Sequence, residues 1–158
     1  MEDLYTKTNR PCHSRRKAMK LLEIYHHPWC PRFFFRKFDG GKDSGVTGYF
    51  LIEWKILFSI GLLRFTKGSR ESFHSHAFNG LSWFIWGRIT EHLLSGETKE
   101  FGPSLLPKFT KRSCFHRVYA HNTTYVLTLR GSWVDFWQEH RPSGKLVTLT
   151  HGRKEVET

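Results

Sequence analysis

Cysteine is scarce in this chain. Cys12, Cys30 and Cys114 are odd in number and irregular in spacing, which excludes a secreted disulfide framework and points to reduced thiols in the cytoplasm. A long apolar run is also missing. The best stretch, Tyr49 to Phe65, is broken by Glu53, Lys55 and Arg64, whereas a membrane-crossing helix needs about 20 mostly apolar residues. The opening Met-Glu-Asp-Leu-Tyr-Thr-Lys has no apolar signal-peptide core. There is no Gly-x-Ser-x-Gly elbow, no P-loop and no dinucleotide fingerprint, so nucleophilic serine catalysis is unsupported. Helix-turn-helix and zinc-finger spacings are absent too, which removes sequence-specific DNA reading. Acidic residues are the last shortage. Fourteen Asp and Glu face 25 Lys and Arg, and the net charge of +11 favours anionic partners.

What is present suits one β-rich domain. The chain has 158 residues, and 16% of them are aromatic. That content requires a core or an aromatic-lined cavity and excludes a disordered or coiled-coil chain. Residues 1–42 hold 10 Lys/Arg against 4 Asp/Glu. They read as a basic arm, with a helix over Arg15–Tyr25 capped by Ser14. Phe33-Phe34-Phe35 is too apolar for a loop and reads as a short strand or a segment packed on the main fold. The Asp39–Gly45 loop sets the expected boundary, with an arm over residues 1–45 and a β domain over 46–158.

Beyond that loop, aromatic and branched residues alternate between turn signals. Strands are expected over Thr47–Phe58, Leu62–Thr66, Leu81–Trp86, Arg88–Leu93, Ser104–Pro107, Phe115–Tyr119, Thr124–Arg130 and Trp133–Glu139. Many short strands of this kind suggest an antiparallel sandwich or barrel.

Ten histidines are a surplus, and His74-Ser75-His76 is the informative pair. Residues i and i+2 of a strand point to one face, so two imidazoles there can converge on one metal. Ser75, between them, points the other way. His116 opens a later strand. Three imidazoles with open positions would suit a divalent transition metal that keeps water or substrate in its shell.

Gly68, His74, His76 and Gly87 have the spacing of the first motif of the cupin superfamily, Gly-x5-His-x-His-x3,4-Glu-x6-Gly. Gly102, Pro107 and His116 look like a stretched second motif. The stretch from about 46 to 140 therefore resembles a cupin, and more narrowly a group of cupin-like proteins of phages and bacteria. That group carries His-x-His before an aromatic, a strand ending Thr-Glu, a later His-Arg and a closing Thr-Leu…Gly…Trp segment. The matching residues are His74–Phe78, Gly87–Glu91, His116-Arg117 and Thr128–Trp133. The motif-one glutamate would fall at Gly80 or Leu81, neither of which can bind a metal. Glu91 is the best replacement, as fourth ligand or general base, with His92 and His121 as further candidates.

The resemblance implies an all-β, double-stranded β-helix (jelly-roll) barrel behind a partly helical basic arm. It implies a metal-dependent enzyme of oxygenase or isomerase type, with His74, His76 and His116 holding Fe, Mn, Ni or Zn and Glu91 in a catalytic role. Among the cations near the proposed mouth, Arg88, Arg117 and Arg130 are expected to meet a small anionic substrate. Trp83 and Trp86 are candidates for stacking on a base or aromatic ligand. The alternative is a non-enzymatic, phage-type protein that captures a nucleotide, or a nucleic acid through its basic arm, in a host-interaction or counter-defence role. A homodimer is expected because cupins commonly pair. A Cys/His zinc site from Cys12-His13 and His26–Cys30 matches no compact pattern.

Overall fold

Side chains that alternate between apolar and polar commit a chain to strands with one face buried, and the computed structural model shows twelve of them among the described residues. It describes residues 30–69, 72–141 and 143–156. The helix expected over Arg15–Tyr25 and the Cys12-His13 and His26-His27 pairs lie outside the described residues. Among the described residues, no helix is long and apolar enough to cross a membrane.

The strands are β1 (Arg32–Phe38), β2 (Val46–Trp54), β3 (Phe58–Phe65), β4 (Gly80–Trp86), β5 (Ile89–Leu93), β6 (Thr98–Phe101), β7 (Lys108–Thr110), β8 (His116–Ala120), β9 (Thr124–Arg130), β10 (Trp137–His140), β11 (Leu146–Thr150) and β12 (Lys154–Val156). One layer is a six-stranded sheet in the order β1-β2-β3-β9-β4-β7, antiparallel throughout. The other layer consists of two three-stranded sheets, β6-β5-β8 and β10-β11-β12. The segment around His74 joins them. His74 and His116 exchange backbone hydrogen bonds of 2.9 and 3.1 Å, and on the other side Ser75 N–H donates to Gln138 and His140 N–H to Phe73. His-x-His is therefore not part of a long strand. It is a one-bridge stitch that closes the second layer.

The core lies between the layers and is built from Val46, Phe50, Leu63, Phe65, Phe84 and Val126 of the first sheet with Ile89 and Ala120 of the second. Phe35 stacks on Phe50 with ring centroids 5.3 Å apart. β1 pairs with β2 from Arg32↔Glu53 to Phe38↔Thr47, so the expected boundary at residue 45 falls in the loop between two strands of one sheet. Gly87, a motif glycine, takes a positive φ of 89°, and a Cβ there would collide with Thr124; only glycine fits both demands.

The expected strand over Ser104–Pro107 does not form. Two prolines bracket it and remove ladder donors, and the Ser104 hydroxyl accepts a hydrogen bond from Leu106 N–H. The strands flank this loop instead, as β6 and β7. The expected Thr47–Phe58 strand breaks at a turn closed by Leu57 N–H to Trp54, without the Gly, Pro, Asn or Asp that marks most turns. β11 and β12, beyond the Pro142-Ser143-Gly144 signal, complete the second layer.

Candidate metal centre

The three histidines reach one point from two neighbouring segments. His74 and His76 sit on the stitching segment, and His116 opens β8 beside it. Their ring centroids form a nearly equilateral triangle of 4.9, 5.0 and 5.1 Å. One ligand nitrogen from each lies within 4.8 Å of the others. His74 and His116 are buried and His76 is half-buried.

Hydrogen bonds at the far side of each ring decide which nitrogen can coordinate. His74 Nδ1 donates to Ser72 O at 2.9 Å. His116 Nδ1 meets the Glu91 carboxylate. Each ring is thereby held in the tautomer whose Nε2 carries the lone pair, the usual condition for a metal-binding imidazole. His76 Nε2 lies 2.7 Å from His116 Nε2. With His116 accepting there, His76 donates, and holding a metal through His76 Nε2 would require that proton on Nδ1 instead. The donor set of three imidazoles, with a carboxylate behind one, fits a divalent transition metal.

Glu91 belongs behind this group. It is only 2% exposed, and one of its oxygens takes both His116 Nδ1 and Lys108 Nζ. Burial alone would raise its pKa, but the hydrogen bonds from His116 and Lys108 outweigh it and bring it down to about 2. Glu91, expected as fourth ligand or general base, lies outside the three-histidine group, and strand β5 presents it to the back of the His116 ring.

The remaining expected residues divide by strand face. On β9, Thr124, Val126, Thr128 and Arg130 form the buried set. Arg130 accordingly lies in the cavity wall, 2% exposed, with both terminal nitrogens on Asp39 at 3.1 and 2.8 Å. Its charge is already matched, and its guanidinium sits over Phe50 and Phe78. Arg117 alternates with buried His116, so it faces outward and lies over Phe73. Arg88 precedes inward Ile89 and is exposed. Trp83 alternates with inward Ser82 and Phe84. Trp86 would share their face, but a bulge between Phe84 and Trp86 turns it out, 66% exposed. None of Arg88, Arg117, Trp83 and Trp86 lines the cavity. His92 and His121 are engaged elsewhere, with Thr98 and Thr90.

The cavity has a volume of about 690 Å³ and contains the three histidines, Glu91 and Lys108. Its wall also holds residues that sequence reasoning did not single out. A bulge in β2 between Phe50 and Ile52 shifts the alternation, so that Glu53 and Lys55 turn inward although Tyr49 and Leu51, on the same parity, are exposed. Lys37 of β1 pairs with Glu53. Trp133 and His151 stack with centroids 5.9 Å apart. No local signal marks this group, which comes from four separate segments.

No family model matches the sequence, and no curated protein matches it. Solved structures do. The polyketide cyclase RemF from Streptomyces resistomycificus aligns with a TM-score of 0.52 at 17% identity, over 62% of this chain and 73% of that one. KdgF from Halomonas sp. aligns with a TM-score of 0.51 at 16% identity, over 66% of this chain and 97% of that one. Ectoine synthase from P. lautus aligns with a TM-score of 0.50 at 14% identity, over 58% and 67%. Identities this low speak for architecture only, and the architecture they share with this two-layered β barrel is that of the cupins: the chain has the cupin fold.

Proposed function

We propose that this protein is a metal-dependent cupin enzyme acting on a small anionic molecule. The observation that carries the reading is the convergence of His74, His76 and His116, with Glu91 and Lys108 behind His116, on a cavity of substrate size. A divalent metal such as Fe, Mn, Ni or Zn would supply a Lewis-acid or redox centre with open positions for substrate. The chain's own contribution is positional. Glu91 holds the proton on His116 Nδ1, Ser72 O holds the one on His74 Nδ1, and Lys108 keeps Glu91 ionised. Core residues Phe84 and Val126 also line the cavity and limit water at the site.

The test is elemental mass spectrometry on untagged protein beside a His74→Ala/His76→Ala variant. Near one metal per chain, lost in the variant, is expected. Absence of metal from both proteins after reconstitution would overturn the reading. A second reading, capture of nucleic acid on the outer surface, draws on the net charge of +11 and on the outward Arg88, Arg117 and Trp86. It predicts salt-sensitive binding that survives loss of the histidines.

A further inference from the structure

We infer that the same cavity holds a second subsite, built on Lys55 with Lys37 and Arg32 around Glu53, which takes the acidic group of a small acid with an apolar body. The inference rests on the reading above only in taking the cavity as the place where ligand binds.

The charge balance of this corner is uneven. Arg32, Lys37, Lys55 and Glu53 all line the cavity, and Glu53 is 3% exposed. Its carboxylate is engaged by Lys37. Among the described residues, Lys55 Nζ has no hydrogen-bond or ion-pair partner; its neighbour is the Trp133 ring, 4.9 Å from the ammonium to the centroid. Lys37 lies over that ring as well, at 5.5 Å. Arg32 lies over Phe35 at 4.0 Å. Three cations thus share one buried carboxylate and the faces of aromatic rings. Half-buried like charges repel more strongly than exposed ones, and an anion placed among them turns that repulsion into attraction. Burial lowers the Lys55 pKa; Glu53 opposes the shift, and Lys37 and Arg32 add to it.

A line of rings connects this corner to the histidines. The His76 and Phe78 centroids are 5.4 Å apart, and those of Phe78 and Trp133 are 5.3 Å apart. A ligand with its acidic group at Lys55 would therefore lay an apolar body along Phe78 and present its other end to the triad. Recognition of this type joins a charge-assisted hydrogen bond at one end to apolar burial along the middle. Arg130 does not compete for the acid, because Asp39 already occupies its fork.

The experiment uses full-length protein stripped of metal by chelation, so that its result is independent of the metal. Calorimetry and tryptophan fluorescence would follow titration with 3-phenylpropionate, phenyl phosphate and the neutral 3-phenylpropionamide. The two acids distinguish a carboxylate from a phosphate ligand. The wild type is expected to bind one acid at least about tenfold more tightly than the amide. Lys55→Met should abolish that preference, Lys55→Arg should keep it to within about threefold, and Lys67→Met, on the exposed surface, should leave it unchanged. Equal binding of acid and amide by the wild type would overturn the inference, whether or not Lys55→Met folds. An unaltered preference in Lys55→Met, or no binding of either acid up to about 10 mM, would overturn it as well. His74→Ala/His76→Ala should lose metal yet retain the preference, so that either reading can fail without the other.

Discussion

Two buried carboxylates serve one cavity and carry different loads. Glu91, on the second layer, is shared by His116 and Lys108, and its neighbourhood is close to charge balance. Glu53, on the first layer, is engaged by Lys37 while Lys55 and Arg32 stand nearby. A balanced group orients its partners, here the His116 ring. An unbalanced one leaves charge for something else to satisfy. The two functions proposed for this cavity, metal holding and acid recognition, follow from that contrast.

Removing Glu91 should have the largest effect. Glu91→Gln leaves Lys108 without its carboxylate and His116 without its orienting acceptor. A loss of about 3 kcal/mol in denaturant unfolding is expected, together with a drop of about 10–100-fold in metal affinity by competitive chelation. Unchanged metal affinity would show that His116 needs no orienting acceptor.

Glu53→Gln should be milder for stability, about 1–3 kcal/mol, because the Lys37 ammonium is partly solvated. On ligand binding its sign should be opposite: with the Glu53 negative charge gone, 3-phenylpropionate should bind more tightly, not less. Weaker binding would mean that Glu53 shapes the subsite rather than merely offsetting its charge.

The pH dependence separates the two carboxylates further. The Glu91 pKa is lowered from 4.5 to about 2 in the folded chain, so its contribution to stability is complete above the ordinary carboxylate range. It is lost as pH falls from about 4.5 toward 2. Thermal unfolding followed from neutral to acid pH should show a steeper decline in the wild type than in Glu91→Gln, and parallel curves would contradict the assignment. The smallest effects belong to the outward residues. Arg88→Ala and Arg117→Ala should change stability by no more than about 0.5 kcal/mol and leave acid and metal binding unaltered; a loss of either would return these arginines to the site.

Much of the barrel was legible beforehand. β4, β5, β8 and β9 lie within about a residue of the expected strands, because their apolar alternation ends at recognisable turns. The histidine pair stood out by its two-residue spacing, although His74 makes only isolated bridges and His76 lies outside the strands. The acid-binding corner was not legible. Arg32 and Lys37 fell in the stretch that reads as the basic arm, and Lys55 lies in an unpunctuated turn.

Sequence by itself determined that the chain forms short antiparallel strands, because apolar alternation between turn signals sets them, and it placed His74 and His76 two residues apart. It also carried the glycine spacing that marks the fold. The tertiary structure decided what local pattern cannot reach. A bulge in β2 turned Glu53 and Lys55 inward, and a bulge in β4 turned Trp86 out. Closure of the second layer through His74 brought His116 to the pair and placed Glu91 behind it. Each of these depends on how one strand registers against another, and register is a relation between segments distant in the chain.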